Sequence, residues 1–343
     1  MLFPPTFDTR RWAADNFHDC PLGDRRRAQR LEKFAQQAAD RPAASLPKVG
    51  EDWAGTRGIY RLLDCEEVTL ENVTHAHRRR VTAQAGRFLV LADTTYVGFG
   101  RKRHVEHAGP IGPGGGQGFL LHSGLLVDAQ DGSLVGLAGQ VAHVRPPKRR
   151  GRSSRGKSGK QATESRRWTQ LIAQVGRPPQ GAQYIHVADA EADNFEVFAA
   201  ARQWGSDFVI RAVRLNRKVF CEGRNMSLSQ AISTFSAWGR YELKIARGNG
   251  RQARTASLQV SCGTIEVPWP KHVSRQSQAA KQRDGGKIPM SVVVVREIDP
   301  PADAEPVEWV LLSSLPVTSF EDAWQVIGWY ENRWLVEEWH KAL

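Results

Sequence analysis

The stretch from Trp324 to Lys341 constrains this chain more than any other. It reads Trp-Gln-Val-Ile-Gly-Trp-Tyr-Glu-Asn-Arg-Trp-Leu-Val-Glu-Glu-Trp-His-Lys and predicts one long helix. Glu321 and Asp322 precede it, where the helix dipole favours negative charge. Trp324, Leu335, Trp339 and Ala342, with Gly328, share one side at helical spacing. Tyr330, Arg333, Glu337 and Lys341, spaced by three, four and four, fall within an arc of roughly 80° on another. Such a stripe can be a solvated face laced with ion pairs. Four tryptophans make the helix apolar nearly all round, which predicts burial instead. A buried polar stripe needs something polar to face.

A chain of 343 residues can bury a large core as two or three structural units. Its hydrophobic content of 41% is that of a globular protein. A net charge of +12 fits a polyanionic partner, with nucleic acid first, although a ribosome-associated or membrane-surface protein carries the same excess. Cys20, Cys65, Cys221 and Cys262 lie far apart with no C-x-x-C pair, the pattern of reduced thiols rather than disulfides or zinc ligands. No apolar run approaches eighteen residues, and Met-Leu-Phe-Pro-Pro is no signal peptide. The expectation is a soluble, cytoplasmic protein without a membrane partner.

Residues 1–80 read as a small helical DNA-binding domain. Asp24 is a candidate N-cap for a helix to about Asp40 with Leu31, Phe34, Ala35 and Ala38 on one face. A second helix runs from Glu51 through Leu63, and a third begins near Thr69 and carries His75 and His77 on a basic face. Arg25, Arg26, Arg27, Arg30, Arg57 and Arg61 suit phosphate contacts, though solubility alone would use the same charges.

From residue 81 the pattern turns to strands. Arg87–Ala92 is a buried run ending in Asp93-Thr94-Thr95, and 120–127 and 134–141 are two more strands joined through an Asp131-Gly132 turn. The glycines between 109 and 118 give no G-x-G-x-x-G fingerprint. Arg145 to Lys160 carries eight basic residues and no acid, a loop suited to lie along phosphates. Within it, Gly151-Arg-Ser-Ser-Arg-Gly-Lys-Ser158 satisfies the P-loop pattern by letter, but Pro146-Pro147-Lys148-Arg149-Arg150 precedes it in place of a buried strand. A helix to Val175, a strand 183–188 ending in Asp189, a helix through Phe198 and a strand 208–211 complete a mixed α/β layer arrangement. Residues 216–315 read as β-rich, ending in the strand Glu308–Leu312, and residues 316–343 as the terminal helix.

Two aspartates, Asp93 and Asp189, therefore terminate buried strands, where sites assemble in open α/β sheets. Capping a turn is the plain alternative for either one alone. With Glu337 on the polar stripe they make an all-oxygen donor set, suited to Mg²⁺ or Mn²⁺ rather than zinc. Two such ions drive in-line phosphoryl transfer; Tyr330 and Arg333 beside Glu337 could hold the substrate's phosphates. His104-x-x-His107 lacks a second pair and reads as exposed, Asp193 as a helix cap, and Glu191 as a possible DNA or metal contact. His122 is either a neighbour of the site or a core histidine.

Asp93-Thr94-Thr95, Asp189-Ala190-Glu191-Ala192-Asp193 and Tyr330-x-x-Arg333-x-x-x-Glu337 resemble the signatures of bacterial cut-and-paste DDE transposases of the insertion-sequence-four family, to which the Tn-five transposase belongs. Leu22-Gly23-Asp24 with its arginines, Gly58-x-Tyr60-Arg61 and Trp309-Val310-Leu311-Leu312 extend the likeness over nearly the whole chain. The resemblance implies an RNase H-like mixed sheet with helices at 81–215, a β-rich insertion at 216–315 and a return to the core at 316–343. It implies Asp93, Asp189 and Glu337 as ligands of two Mg²⁺ or Mn²⁺ ions. It also implies that Tyr330, Arg333, Arg211 and Lys341 meet double-stranded DNA at transposon ends, and that Trp309 stacks on an extruded base. Such proteins pair as homodimers on nucleoid DNA. The family's motif continues with a lysine seven residues after the glutamate, which is position 344 here, so the C-terminal pairing region is expected to be absent. The functions that follow are a transposase acting by hydrolysis, hairpin formation and strand transfer; a catalytically silent end-binding protein or inhibitor; or a standalone metal-dependent nuclease.

Overall fold

The computed structural model describes residues 7–100, 104–112, 116–146, 166–245, 252–271, 275–302 and 304–343. Its N-terminal unit is built by caps. Side chains of Asp8, Asp24, Asp52 and Thr69 accept backbone N–H bonds at the starts of α1 (Thr9–Phe17), α2 (Arg25–Asp40), α4 (Trp53–Leu63) and α5 (Leu70–Thr82), with the single turn α3 (Leu46–Val49) between. The three expected helices are α2, α4 and α5; α1 and α3 are additions. Cys20, Leu22, Leu31 and Leu62 form the unit's core. His77 is not on a basic surface as expected. Its Nδ1 lies 2.6 Å from Asn16 Oδ1 and its Nε2 accepts the Leu137 N–H at 3.0 Å, so it joins α1 and α5 to the sheet.

The chain then lays down β1 (Gly86–Gly98), β2 (Gly109–Ile111), β3 (Gly116–Asp128) and β4 (Leu134–His143), then α6 (Arg166–Val175) and β5 (Ala182–Ala188). A 3₁₀ turn (Ala190–Ala192), α7 (Phe195–Gln203) and β6 (Asp207–Arg211) follow. Next come β7 (Lys218–Cys221), β8 (Arg224–Ser227), α8 (Leu228–Ile232), β9 (Ala237–Ile245), β10 (Arg254–Pro268), α9 (Arg275–Arg283), β11 (Lys287–Glu297) and β12 (Glu308–Ser313). The last elements are α10 (Phe320–Glu331) and α11 (Trp334–Lys341).

Among the described residues the strands form a single sheet in the order β2-β3-β1-β5-β6-β12-β11-β10-β7-β8, with β4 beside β3 and β9 beside β10. β1, β5 and β6 run parallel and their outer neighbours antiparallel. This mixed sheet with helices on both faces is consistent with an RNase H-like core. The strands of 216–315 prolong it, because β12 pairs with β6.

Alternation along β1 and β5 divides the core. Phe88, Val90, Tyr184 and Ala188 pack toward Trp168, Leu171 and Phe198 of α6 and α7. Leu89, Leu91, Ile185 and Val187 pack toward Val326, Ile327, Trp329 and Val336 of α10 and α11. No helix among the described residues is long and apolar enough to cross a membrane.

Three further expectations are corrected. The terminal stretch is two helices rather than one. At Asn332 and Arg333 the ladder tightens to i→i+3 bonds, Arg333 N–H to Tyr330 C=O and Leu335 N–H to Asn332 C=O, both 3.0 Å. Nor is it buried all round: Trp324 and Trp334 are about half exposed, and the inward face is Ala323, Val326, Ile327, Trp329, Tyr330 and Val336. Asp93 does not terminate its strand. β1 runs on to Gly98 paired with β3, and Asp93 faces Ser123 within that pairing. What ends there is the parallel partner β5.

Candidate active site and DNA interface

The β1–β5 ladder runs from Gly86↔Ala182 to Leu91↔Val187. Two residues further along each chain stand Asp93 and Asp189. By alternation both fall on the face of Leu91 and Val187, under α10 and α11. Asp189 Oδ1 accepts the Glu191 N–H at 2.9 Å and so caps the 3₁₀ turn. The capping alternative therefore holds for this residue, and it leaves Oδ2 outside the cap.

Burial pushes the Asp93 carboxyl up to about 6; the charges of Asp189 and Glu337 push the same way, against the Thr94 N–H and Arg333. The three acids thus share one electrostatic neighbourhood. Glu337 is held by Arg333 at 2.5 Å. Burial opposes charge on Arg333, but Tyr330, Glu337 and Asp93 outweigh it and its pKa rises. Tyr330 is buried, its hydroxyl raised by desolvation against the pull of Arg333 and Arg211, and its ring centre lies 5.7 Å from that of Trp309. Arg211 donates to the Glu308 carbonyl at 3.4 Å, beside Trp309. Seven residues named from the sequence, namely Asp93, Asp189, Glu337, Arg333, Tyr330, Arg211 and Trp309, are therefore neighbours at one end of the sheet.

Lys341 stands at the margin of this group, within the field of Glu337 but turned outward. It lies exposed on the solvent side of α11, bound to Glu338 at 2.6 Å, a partner three residues away that competes for its ammonium. Among the described residues no three acidic, histidine or cysteine side chains stand close enough together to hold an ion. The donor set is nonetheless all oxygen, and Asp93 is a carboxyl whose charge burial disfavours first and Asp189 and Glu337 second, the kind of group a hard cation would return to its anionic form.

Other readings resolve locally. His122 is a core histidine, fully buried against Trp168 with ring centres 4.3 Å apart and its pKa lowered to about 3. Its Nδ1 lies 2.9 Å from the Thr94 hydroxyl, so it is a neighbour of the site as well. Asp193 is the C-cap residue of the 3₁₀ turn, its N–H bonded to the Ala190 carbonyl; Asn194 caps α7, and the Asp193 side chain accepts the Val213 and Arg214 N–H groups and the Arg217 guanidinium. Glu191 pairs with Arg167, a buried arginine that no sequence pattern singles out. His107 is exposed beside Glu106. The basic run 147–160 and the P-loop pattern at 151–158 lie outside the described residues.

The helical unit carries the second basic surface. Arg26, Arg27, Arg30, Arg57 and Arg61 line a cavity of about 450 Å³ with Trp53, which is 78% exposed. Arg27 also bonds the Leu22 carbonyl and Glu67, a structural tie. Arg25 is exposed at the start of α2 and does not line the cavity.

Residues 9–68 match the family described as transposase DNA-binding. The fold as a whole is similar, at a TM-score of 0.43 and 9% identity over 98% of this chain and 68% of the other, to a piggyBac transposase solved as a synaptic complex with hairpin DNA. The helical unit is therefore similar to the DNA-binding domains of transposases.

Proposed function

We propose that this chain is a DNA transposase that cuts a phosphodiester at the end of a mobile element and joins the freed 3′-hydroxyl to new DNA. The observation that carries the reading is the meeting of Asp93, Asp189 and Glu337 with Arg333, Tyr330, Arg211 and Trp309 at one end of the sheet. The DNA-binding match at 9–68 supports the choice of substrate.

Asp93, Asp189 and Glu337 would hold two Mg²⁺ or Mn²⁺ ions. When bound, these supply activation of the attacking oxygen and charge relief on the leaving oxygen of an in-line displacement. Arg333 and Arg211 bind and orient the phosphates, and Tyr330, locked by burial, fixes the strand beside them. Trp309 offers a ring face to an unpaired base, as a hairpin intermediate at a duplex end requires. The site would act in bacterial cytoplasm on nucleoid DNA.

The second reading is a catalytically silent end-binding protein, favoured by one observation: Glu337 is engaged by Arg333 rather than grouped with the aspartates. Incubating the chain with element-end duplex and Mg²⁺ or Mn²⁺, beside Asp93→Asn, separates the two. Nicking lost in the variant supports an enzyme, and joining of cut ends to target DNA distinguishes a transposase from a plain nuclease. Bound but uncut DNA with both proteins would leave only the silent binder.

A further inference from the structure

We infer that Arg167 is a positioning residue: a buried strut that sets the spacing of Asp93 and Asp189 by clamping Thr94 to Glu191. The inference rests on the reading of those aspartates as metal ligands.

The need for a strut follows from where the ladder stops. Backbone pairing between β1 and β5 ends at Leu91↔Val187. Beyond it β1 continues straight with β3, while the other chain leaves the sheet through the turn Ala190–Ala192. Asp93 and Asp189 sit just past this divergence. Each repels the other, so their separation needs another constraint.

Arg167 supplies one from the opposite face. It projects from the first turn of α6, and 6% of it is exposed. Its Nε donates to the Thr94 hydroxyl at 2.9 Å, and a terminal nitrogen bonds the Glu191 carboxylate. Thr94 adjoins Asp93. Glu191 gives its own N–H to Asp189 Oδ1. One planar guanidinium therefore spans the two acid-bearing segments, each a single residue or hydrogen bond from an aspartate.

The clamp is itself backed. An arginine only donates, so Thr94 Oγ1 accepts from Arg167, and the same oxygen lies 2.9 Å from His122 Nδ1. His122 is itself fully buried against Trp168, so the Thr94 end of the clamp has a fixed neighbour. Beyond the turn, Asp193 is fixed by Arg217 and the Val213 and Arg214 N–H groups. Both ends of the strut are anchored, as outer-shell partners of a metal site need to be.

Mn²⁺ binding by the full chain, followed by calorimetry and by the Mn²⁺ paramagnetic resonance signal, tests this without turnover. Wild type is compared with Asp93→Asn, Arg167→Gln, Arg167→Lys and Glu191→Gln. Outer-shell losses of this kind cost about tenfold in metal affinity or more. Arg167→Gln and Glu191→Gln are expected to fall by that factor, and the double variant no further, because both remove the same strut. Arg167→Lys keeps the charge but not the fork, so it is expected to fall with Arg167→Gln. Because Arg167 is buried, Glu191→Gln removes its counter-charge, so a thermal melt of each variant is run beside the Mn²⁺ titration, at a temperature where every variant is folded, to read positioning apart from stability. Wild-type Mn²⁺ affinity in Glu191→Gln and Arg167→Lys, with binding lost in Asp93→Asn, overturns the strut and leaves the metal site standing. Equal or absent binding in wild type and Asp93→Asn removes the metal reading and the strut together.

Discussion

Arg333 and Glu337 meet at 2.5 Å across one turn of α11, and the guanidinium also lies in the field of Asp93. A cation of the protein's own thus stands between the carboxylates of Glu337 and Asp93. A DNA phosphate offers that guanidinium a second anionic partner, in competition with Glu337. Arg333→Ala is expected to weaken end-DNA binding and to reduce the slope of log K against log salt by about one phosphate's worth, near 0.9. Glu337→Gln is expected to keep that slope while cleavage falls by roughly 10³-fold or more, since it removes an acid from the reacting centre. Filter binding at several salt concentrations, run beside a nicking assay, checks both. Loss of binding in Glu337→Gln would contradict the division of labour.

Asp93 carries a stability cost. Its carboxyl titrates near 6 in the folded chain against a reference of 3.8, because burial and two neighbouring carboxylates disfavour the anion. The folded state therefore holds an extra proton between about pH 4 and pH 6. The penalty is absent below the lower value and complete above the upper. Metal-free Asp93→Asn is expected to be more stable than wild type at pH 7, on the order of 1–2 kcal/mol once solvent screening is allowed for, with the gain fading below pH 4. Urea titrations at pH 7 and pH 4 in the presence of chelator measure it; equal stability at pH 7 would contradict the shift.

Much of this architecture is legible in the residues. Asp24 and Thr69 announce their helices because capping is local chemistry, whereas the pattern starts α4 at Glu51, one residue before the Asp52 that caps it. Apolar runs such as Leu89–Ala92 and Val292–Val295 announce buried strands for the same reason. The polar stripe of Tyr330, Arg333 and Glu337 survives the break at Asn332, since both linking residues stay in right-handed helical conformation. The break itself is not legible, because nothing in Glu331-Asn332-Arg333 forbids a helix; packing of α10 and α11 on the sheet selects the tighter turn. Asp93 looks like a strand end because polar Thr94 and Thr95 follow it, yet pairing with β3 carries β1 past it. Arg167 is hidden for a different reason. It lies 73 residues from Thr94 and 24 from Glu191, and only the fold brings them together.

The cavity in the helical unit gathers Arg26, Arg30, Arg57 and Arg61, none of which forms an ion pair among the described residues, whereas Arg27 is tied to Glu67. A single Arg→Ala change at Arg26, Arg30, Arg57 or Arg61 is expected to lower affinity for end DNA and reduce the salt slope by about 0.9 for each phosphate that the side chain neutralises. Arg27→Ala is expected to lower the melting temperature as well, since it also releases the Leu22 carbonyl. Binding isotherms over a range of salt, together with thermal melts of each variant, separate the two classes. An unchanged slope in all four variants would place the phosphate-binding face elsewhere.

Three desolvated histidines set the response to acid, His122 and His186 buried and His77 half-buried. Burial lowers His122 to about 3 and His77 and His186 to about 4, from a reference of 6.5. Folded, they stay neutral well below pH 6; unfolded, each takes up a proton near 6.5. Their contribution to stability is therefore complete above that value and is lost as pH falls toward their folded values. Each adds a slope of about 1.4 kcal/mol per pH unit, and near pH 5 Asp93 offsets one of the three. The net expectation there is a fall of about 3 kcal/mol per pH unit from these four groups. His186 is the cleanest probe, since its Nε2 is buried without a hydrogen-bond partner and it lies away from the acids. His186→Gln is expected to flatten the slope between pH 6 and pH 4.5 by about one proton, whatever it does to absolute stability. Urea midpoints across that range give the slope directly, and a parallel curve for the variant would show that His186 does not titrate on unfolding.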